Sequence, residues 1–310
     1  MRIITTSAPG KLVLSGEYAV LDGAPAISMA VNRRALVTVD ETATEPLRSI
    51  GVAGACDQSL LQCVCRVLDI GLPKSGVVLD TSRFSDATSG AKLGIGSSAA
   101  LAAALVRALA DRQANDEQVF RLALAAHHEF QQGSGSGVDV ATSVFGGLIG
   151  YCRDSMPTRL NWPDELHSAF LWSGVPASTT AKLSLLSKKD ASASRNELAG
   201  AARAVFDSWR EGHADAVLDV LRSYVTALKQ FDVDHALGIF DAGHDALTET
   251  AKSSGIVYKP CGAGGGDVGV VVGSDAAAVS RFTRNAINRG FQLLDVQIDE
   301  RGAVIDGATG

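Results

Sequence analysis

The sequence predicts an α+β fold in two lobes. Over residues 1–40 short apolar runs alternate with turn residues, the middle of the chain keeps helical spacing over long stretches, and strand and helix signals return towards the carboxy terminus. At 310 residues with 46% apolar content, the chain exceeds what one hydrophobic core usually organises and can fill two. Pro157, Asn161 and Pro163 punctuate a boundary, giving lobes of residues 1–160 and 161–310.

The elements follow in order. KLVLSG, a Leu21-Asp22-Gly23 turn, PAISMAV and RALVTVDE read as strands of one sheet. Residues 59–69 have helical spacing, 76–80 (GVVLD) read as a strand, and helices follow at 97–112 and 116–132. A strand is expected at 147–151, another at AFLWSG, and then a long amphipathic helical region over 191–252. GIVYKP, a glycine cluster, the strand VGVVVG, a helix from near Ser274 and a strand FQLLDVQID complete the chain.

Composition narrows the classes of function. Net charge is −6, from 28 basic and 34 acidic residues with no lysine or arginine block, which argues against nucleic acid or an anionic membrane as partner. No apolar stretch reaches bilayer length, and no basic segment followed by an apolar one opens the chain. The five cysteines (Cys56, Cys63, Cys65, Cys152, Cys261) lack CxxC spacing or the density of a disulfide scaffold, so they read as reduced thiols. The expectation is a cytoplasmic protein, monomer or homodimer, that holds any anionic ligand locally.

Residues 94–110, GIGSSAALAAALVRALA, set glycines and serines directly ahead of a helix. Helix entry leaves N–H groups without partners and concentrates positive dipole, which attracts phosphate. Gly94 and Gly96 allow close approach, and Ser97 and Ser98 can cap the helix, donate to phosphate or reach a bound Mg²⁺. An ordinary capped helix fits the same residues. In Pro9-Gly10-Lys11-Leu12 one lysine at a strand start reads either as a neutraliser of developing negative charge or as a solvated strand end.

A second glycine-rich segment, GSGSGVDVATSVFGG, carries Asp139 two residues beyond Gly137, with Glu129 on the preceding helix. Two carboxylates and a serine loop suit Mg²⁺ with phosphate; equally, Asp139 could cap a short helix and Glu129 pair with Arg121 or a neighbour. The third segment, Lys259 to Gly269, formally satisfies GxGxxG, but β-rich VGVVVG follows it, so a dinucleotide-binding helix entry is excluded. So flexible a run implies that its backbone closely approaches a ligand or another segment. The six histidines show no metal-ligand spacing and read as structural.

A PGK segment, a GIGSSA loop and a carboxy-terminal glycine-rich segment, in that order, resemble the GHMP kinase superfamily. Gly16-Glu17-Tyr18-Ala19-Val20-Leu21, Lys92-Leu93-Gly94-Ile95-Gly96-Ser97-Ser98, Trp172-Ser173-Gly174-Val175-Pro176-Ala177-Ser178-Thr179 and Lys259-Pro260-Cys261-Gly262-Ala263-Gly264-Gly265-Gly266-Asp267 are most similar to its phosphomevalonate kinase branch. Ile95 stands where that pattern has leucine and Cys261 where it has serine, and the chain is shorter than many of that branch.

The resemblance implies an amino-terminal lobe of the ribosomal protein S5 domain 2 type, a ferredoxin-like carboxy-terminal lobe, and ATP, Mg²⁺ and acceptor in the cleft. It implies that Gly94, Ile95, Gly96, Ser97, Ser98 and Ala99 wrap the ATP phosphates, that Ser98 or Ser97 contacts Mg²⁺, and that Asp139 and Lys11 sit beside the transferring phosphoryl; Lys92 is a further electrostatic candidate there, and Glu129 the carboxylate candidate for the metal. Ser136, Gly137, Ser178, Thr179, Gly262, Ala263 and Gly264 are the substrate-binding candidates. The implied activity is transfer of the ATP γ-phosphate to phosphomevalonate. A mevalonate kinase, a diphosphomevalonate decarboxylase and a noncatalytic binding relative are the alternatives.

Overall fold

The computed structural model describes residues 3–309 except 46, 52–54, 74–75, 134, 178–181, 183–184 and 187–191. The chain divides into two compact units: Met1–Lys11, Met29–Ile149 and Gln297–Gly310 form one, Leu12–Ser28 and Gly150–Val296 the other.

The first unit is built on a sheet whose strands lie in the order Val304–Thr309, Ile3–Ser15, Ala26–Asp40, Val77–Asp80 and Arg48–Ile50. PAISMAV and RALVTVDE, expected as separate strands, belong to the single strand Ala26–Asp40, because Asn32 and Arg33 interrupt the apolar pattern without breaking the backbone. The helices Ala55–Val67, Ser97–Leu109, Asp116–Phe130 and Val138–Phe145 pack against one another. Ser97–Leu109 is buried nearly all round, Ala99 to Val106 being at most 1% exposed, which an alanine-rich helix permits because small side chains let its neighbours approach closely. Asp116–Phe130 starts at a capping box in which Asn115 and Gln118 satisfy each other's backbone N–H groups at 2.9 Å.

Arg34 ties the strand Val304–Thr309 and the turn before it to this unit. The buried guanidinium donates to Ser7 Oγ (2.8 Å) and O (3.0 Å), Asp299 Oδ2 (2.6 Å), Gly302 O (2.7 Å) and Arg301 O (3.1 Å). All five donors of the fork are committed, as a charge this buried requires.

The second unit holds an antiparallel sheet in the order Gln292–Leu293, His167–Trp172, Val268–Gly273 and Val257–Pro260. The strand read at 291–299 shortens to Gln292–Leu293. The helical region expected over 191–252 resolves into Ser192–Glu211, Ala214–His235 and His244–Lys252, divided at Gly212 (φ +79°) and by the turns after Ala236. A further helix, Ala276–Asn288, is capped by Asp275 Oδ1 accepting from Ala277 N at 2.8 Å. Leu171, Leu247, Ile256, Tyr258, Val271, Phe282 and Phe291 form this unit's core. Among the described residues no helix is long and apolar enough to cross a membrane.

Candidate active site

Within the first unit, Lys11 and the Gly94–Ser98 loop meet through their backbones. Lys11 N donates to Ile95 O at 2.8 Å, and a Cβ on Gly10 would lie 2.6 Å from that carbonyl, so the strand can pass here only without a side chain. Gly96 (φ +82°) is itself the N-cap of the helix Ser97–Leu109, with no side-chain cap; neither serine caps it. Ser97 and Ser98 lie in the first turn, and the first intrahelical bond runs from Ala100 N to Gly96 O at 3.1 Å. The N–H groups of Ser97, Ser98 and Ala99 therefore precede the helix's own ladder, the arrangement that attracts anions.

Lys11 runs under the loop: a Cβ on Gly96 would lie 2.9 Å from Lys11 Cγ. Lys11 Nζ reaches Asp139 Oδ1 at 3.5 Å, the lysine side chain 10% and the aspartate side chain 35% exposed. Asp139 stands in the first turn of Val138–Phe145, whose N-cap is Gly137 (φ +86°), so Asp139 does not cap that helix. Ser136 Oγ accepts from Val138 N at 3.4 Å and trims the same turn. Ser98 Oγ lies 3.1 Å from Nε2 of His127, a buried side chain on the helix Asp116–Phe130. Burial lowers the His127 pKa to about 4; the nearby Asp139 opposes this, while His128 and Lys11 reinforce it.

Two other sequence candidates lie differently. Glu129 accepts from Arg66 Nε and Nη2, both at 2.6 Å, the ion pair with a neighbour that is one of its readings; Arg121 pairs with Glu117. Lys92 is exposed just upstream of the loop, on an isolated bridge to Ser85.

Among the described residues no three His, Cys, Asp or Glu side chains are grouped to hold a metal ion. The donors at the loop, the Ser98 hydroxyl and the partly exposed Asp139 carboxylate, are hard oxygens. They fit Mg²⁺, which binds through one or two protein oxygens and completes its shell with phosphate and water.

In the second unit the glycine cluster is held against its own backbone. Gly265 N donates to Ile239 O at 2.7 Å, Asp267 N to Val175 O at 2.7 Å, and Ala263 O accepts from Tyr18 Oη at 2.6 Å. A Cβ on Gly264 would lie 2.5 Å from Ile239 O, and one on Gly266 (φ +148°) 2.4 Å from Val175 O. Of the two readings of the cluster, approach to another segment is thus observed. Gly262 is left-handed at the entry to this turn (φ +67°), and Ser178 and Thr179 lie outside the described residues.

The sequence alone assigns no role to Glu17, Lys259 or Tyr224 and reads His127 and His244 only as structural. The Glu17 carboxylate pairs with Lys259 Nζ, which also donates to Pro260 O at 2.6 Å; Tyr224 Oη donates to Glu17 Oε2 at 3.0 Å and accepts from Gly16 N at 2.9 Å. The available signal was a charge of each sign in a segment otherwise apolar or glycine-rich, since such charges are buried only as pairs. His244 Nε2 donates to Gly266 O at 3.0 Å, so its Nδ1 accepts from Tyr258 Oη at 2.8 Å.

Known proteins resemble this chain in sequence and in fold. Residues 64–147 match the family model of the GHMP kinases N terminal domain. The phosphomevalonate kinase of Streptomyces sp. (strain CL190) is 28% identical over 337 residues, 87% of this chain and 90% of that one. The mevalonate kinase of Methanothermobacter thermautotrophicus is 35% identical over 152 residues, 47% of this chain and 49% of that one. The crystallised Streptococcus pneumoniae phosphomevalonate kinase in complex with phosphomevalonate and AMPPNP matches with a TM-score of 0.81 at 17% identity, over 96% of this chain and 100% of that chain. That likeness is one of fold, and it bears out the α+β architecture expected from the sequence.

Proposed function

We propose that this chain, whose residues 64–147 match the GHMP kinases N terminal domain, is a kinase of that type and transfers the γ-phosphate of ATP to phosphomevalonate, giving diphosphomevalonate and ADP. The observation that carries the proposal is the Lys11–Asp139 pair at 3.5 Å, set beneath a left-handed glycine loop whose serine N–H groups open a helix. The acceptor is chosen on the similarity to the Streptomyces enzyme, which extends over 87% of the chain, and on the loop motif that opens with Lys92.

Phosphoryl transfer depends on positioning and on neutralising charge that spreads over the phosphoryl oxygens. An acceptor phosphate oxygen attacks the γ-phosphorus, the bond to the β,γ-bridging oxygen breaks, and that oxygen leaves with the electron pair as part of ADP. In this reading the N–H groups of Ser97, Ser98 and Ala99 hold the ATP phosphates, and Lys11 Nζ neutralises the transferring group. Mg²⁺, bound through Ser98 and Asp139, would supply further charge neutralisation on the phosphate oxygens. A phosphate monoester with a second pKa of about 6 is already mostly dianionic near neutral pH, so Asp139 is needed to orient Lys11 and hold the metal rather than as a base.

One coupled assay of ADP release tests this, with mevalonate, phosphomevalonate, diphosphomevalonate or no acceptor. Release that depends on phosphomevalonate supports the proposal. Release with mevalonate makes the chain a mevalonate kinase, the reading favoured by the 35% identity over its matched half. Release with diphosphomevalonate indicates the decarboxylase, and no acceptor-dependent release removes catalysis.

A further inference from the structure

Ser98, in the first turn of the helix that follows the glycine loop, does not stand alone: its hydroxyl is held by a side chain from a different helix. His127 lies on Asp116–Phe130, is 4% exposed, and has its ring centroid 6.2 Å from that of Phe130, so the ring is packed in place. Its Nε2 is 3.1 Å from Ser98 Oγ. A serine hydroxyl rotates freely unless a partner fixes its proton, and a hydroxyl whose proton points at a cation cannot bind it. We propose that His127 is a positioning residue for the nucleotide loop: Nε2 accepts the Ser98 proton and leaves both Oγ lone pairs facing the loop for the metal. This inference rests on the reading of the loop as a Mg·ATP site.

The geometry favours this role over simple core filling. An apolar ring would fill the space beside Phe130 as well, yet the residue presented to Ser98 is one with an acceptor at the right reach. Partners that orient metal ligands are worth roughly 10- to 100-fold in metal affinity. The effect should therefore fall on the metal-dependent part of nucleotide binding, since the backbone N–H groups that hold phosphate do not depend on His127.

The test is equilibrium binding of ATP by calorimetry, in Mg²⁺ and in EDTA, to the wild type, His127→Phe, His127→Gln, Ser98→Ala and the Ser98→Ala/His127→Phe double variant, each checked for folding by thermal melt. Gln places a carbonyl acceptor near the position of Nε2, whereas Phe keeps only the bulk. The expected result is that His127→Phe loses about tenfold in Mg²⁺ affinity for the nucleotide complex but binds ATP in EDTA within about twofold of wild type. His127→Gln should recover most of that loss, and the double variant should be no weaker than Ser98→Ala alone. Equal losses with and without Mg²⁺, failure of Gln to rescue, or additive losses in the double variant would overturn the proposal. If Mg²⁺ leaves ATP binding to the wild type unchanged, the Mg·ATP reading itself fails, and the inference with it.

Discussion

Glu17 and Lys259 form an ion pair inside the second unit with side chains 4% and 1% exposed. Tyr224, 5.9 Å from Lys259 Nζ at its ring centre, donates its hydroxyl to the same carboxylate, and burial together with the Glu17 charge raises the tyrosine pKa well above its ordinary value. The pair joins the GEYAVL segment to the strand that leads into the glycine cluster. Removing one member leaves the other charged and uncompensated, at a cost of about 3–5 kcal/mol. Glu17→Gln and Lys259→Met are each expected to lower unfolding free energy by that order in urea titrations, and the double variant by clearly less than the sum. Full additivity would show that the two charges are not coupled.

Asp139→Asn is predicted to lower kcat by about 100-fold or more through loss of the charge facing Lys11. The acid limb of the pH–rate profile should survive in this variant, because it reports the acceptor phosphate and not a side-chain base. Loss of that limb would make Asp139 the base and favour a hydroxyl acceptor.

Lys92 is exposed and precedes the loop. Lys92→Met is expected to raise the KM for the phosphorylated acceptor by about tenfold, the loss of one charge-assisted contact, with little change in the KM for ATP. Steady-state kinetics with each substrate varied in turn separate the two. A rise confined to ATP would move Lys92 to the nucleotide.

His244 is buried, and burial, reinforced by the charges of Lys259 and Lys182, lowers its pKa to about 4. The unfolded chain, with a histidine pKa of about 6.5, binds the extra proton first, so stability is full above that value and is lost as pH falls towards 4. The loss from this one side chain is up to about 3 kcal/mol. Melting curves between pH 7 and 4 should show the decline, and His244→Gln should flatten part of it relative to its own neutral-pH stability. An unchanged slope in that variant would assign the acid sensitivity to other groups.

How much could be read from the residues follows from what each signal depends on. Glycine loops declare themselves because left-handed φ at Gly94, Gly96 and Gly137 excludes most other residues, so the loop and the Asp139 turn were legible. The helices Ser97–Leu109 and Asp116–Phe130 were legible from periodicity, with ends three and two residues short of expectation. The strand Val304–Thr309 was not, since nearly all its residues are exposed and carry no apolar alternation. Glu17 and Lys259 could be suspected separately but not matched, because opposite charges far apart in a chain carry no mark of their partner. Glu129 shows the same limit: an ion pair with a neighbour is one of its two readings, but that the neighbour is Arg66, 63 residues earlier in the chain, is not marked in the sequence.

The Arg34 cluster also has a consequence for the order in which the chain can fold as it is made. Its partners Asp299, Arg301 and Gly302 and the edge strand that follows them are translated after every residue of the second unit. During vectorial synthesis the first unit must wait with its amino-terminal edge unpaired and Arg34 unsatisfied, while Gly150–Val296 emerges and can fold beforehand. The nascent chain can thus complete its later-made unit before the sheet that bears Lys11 gains its edge strand Val304–Thr309.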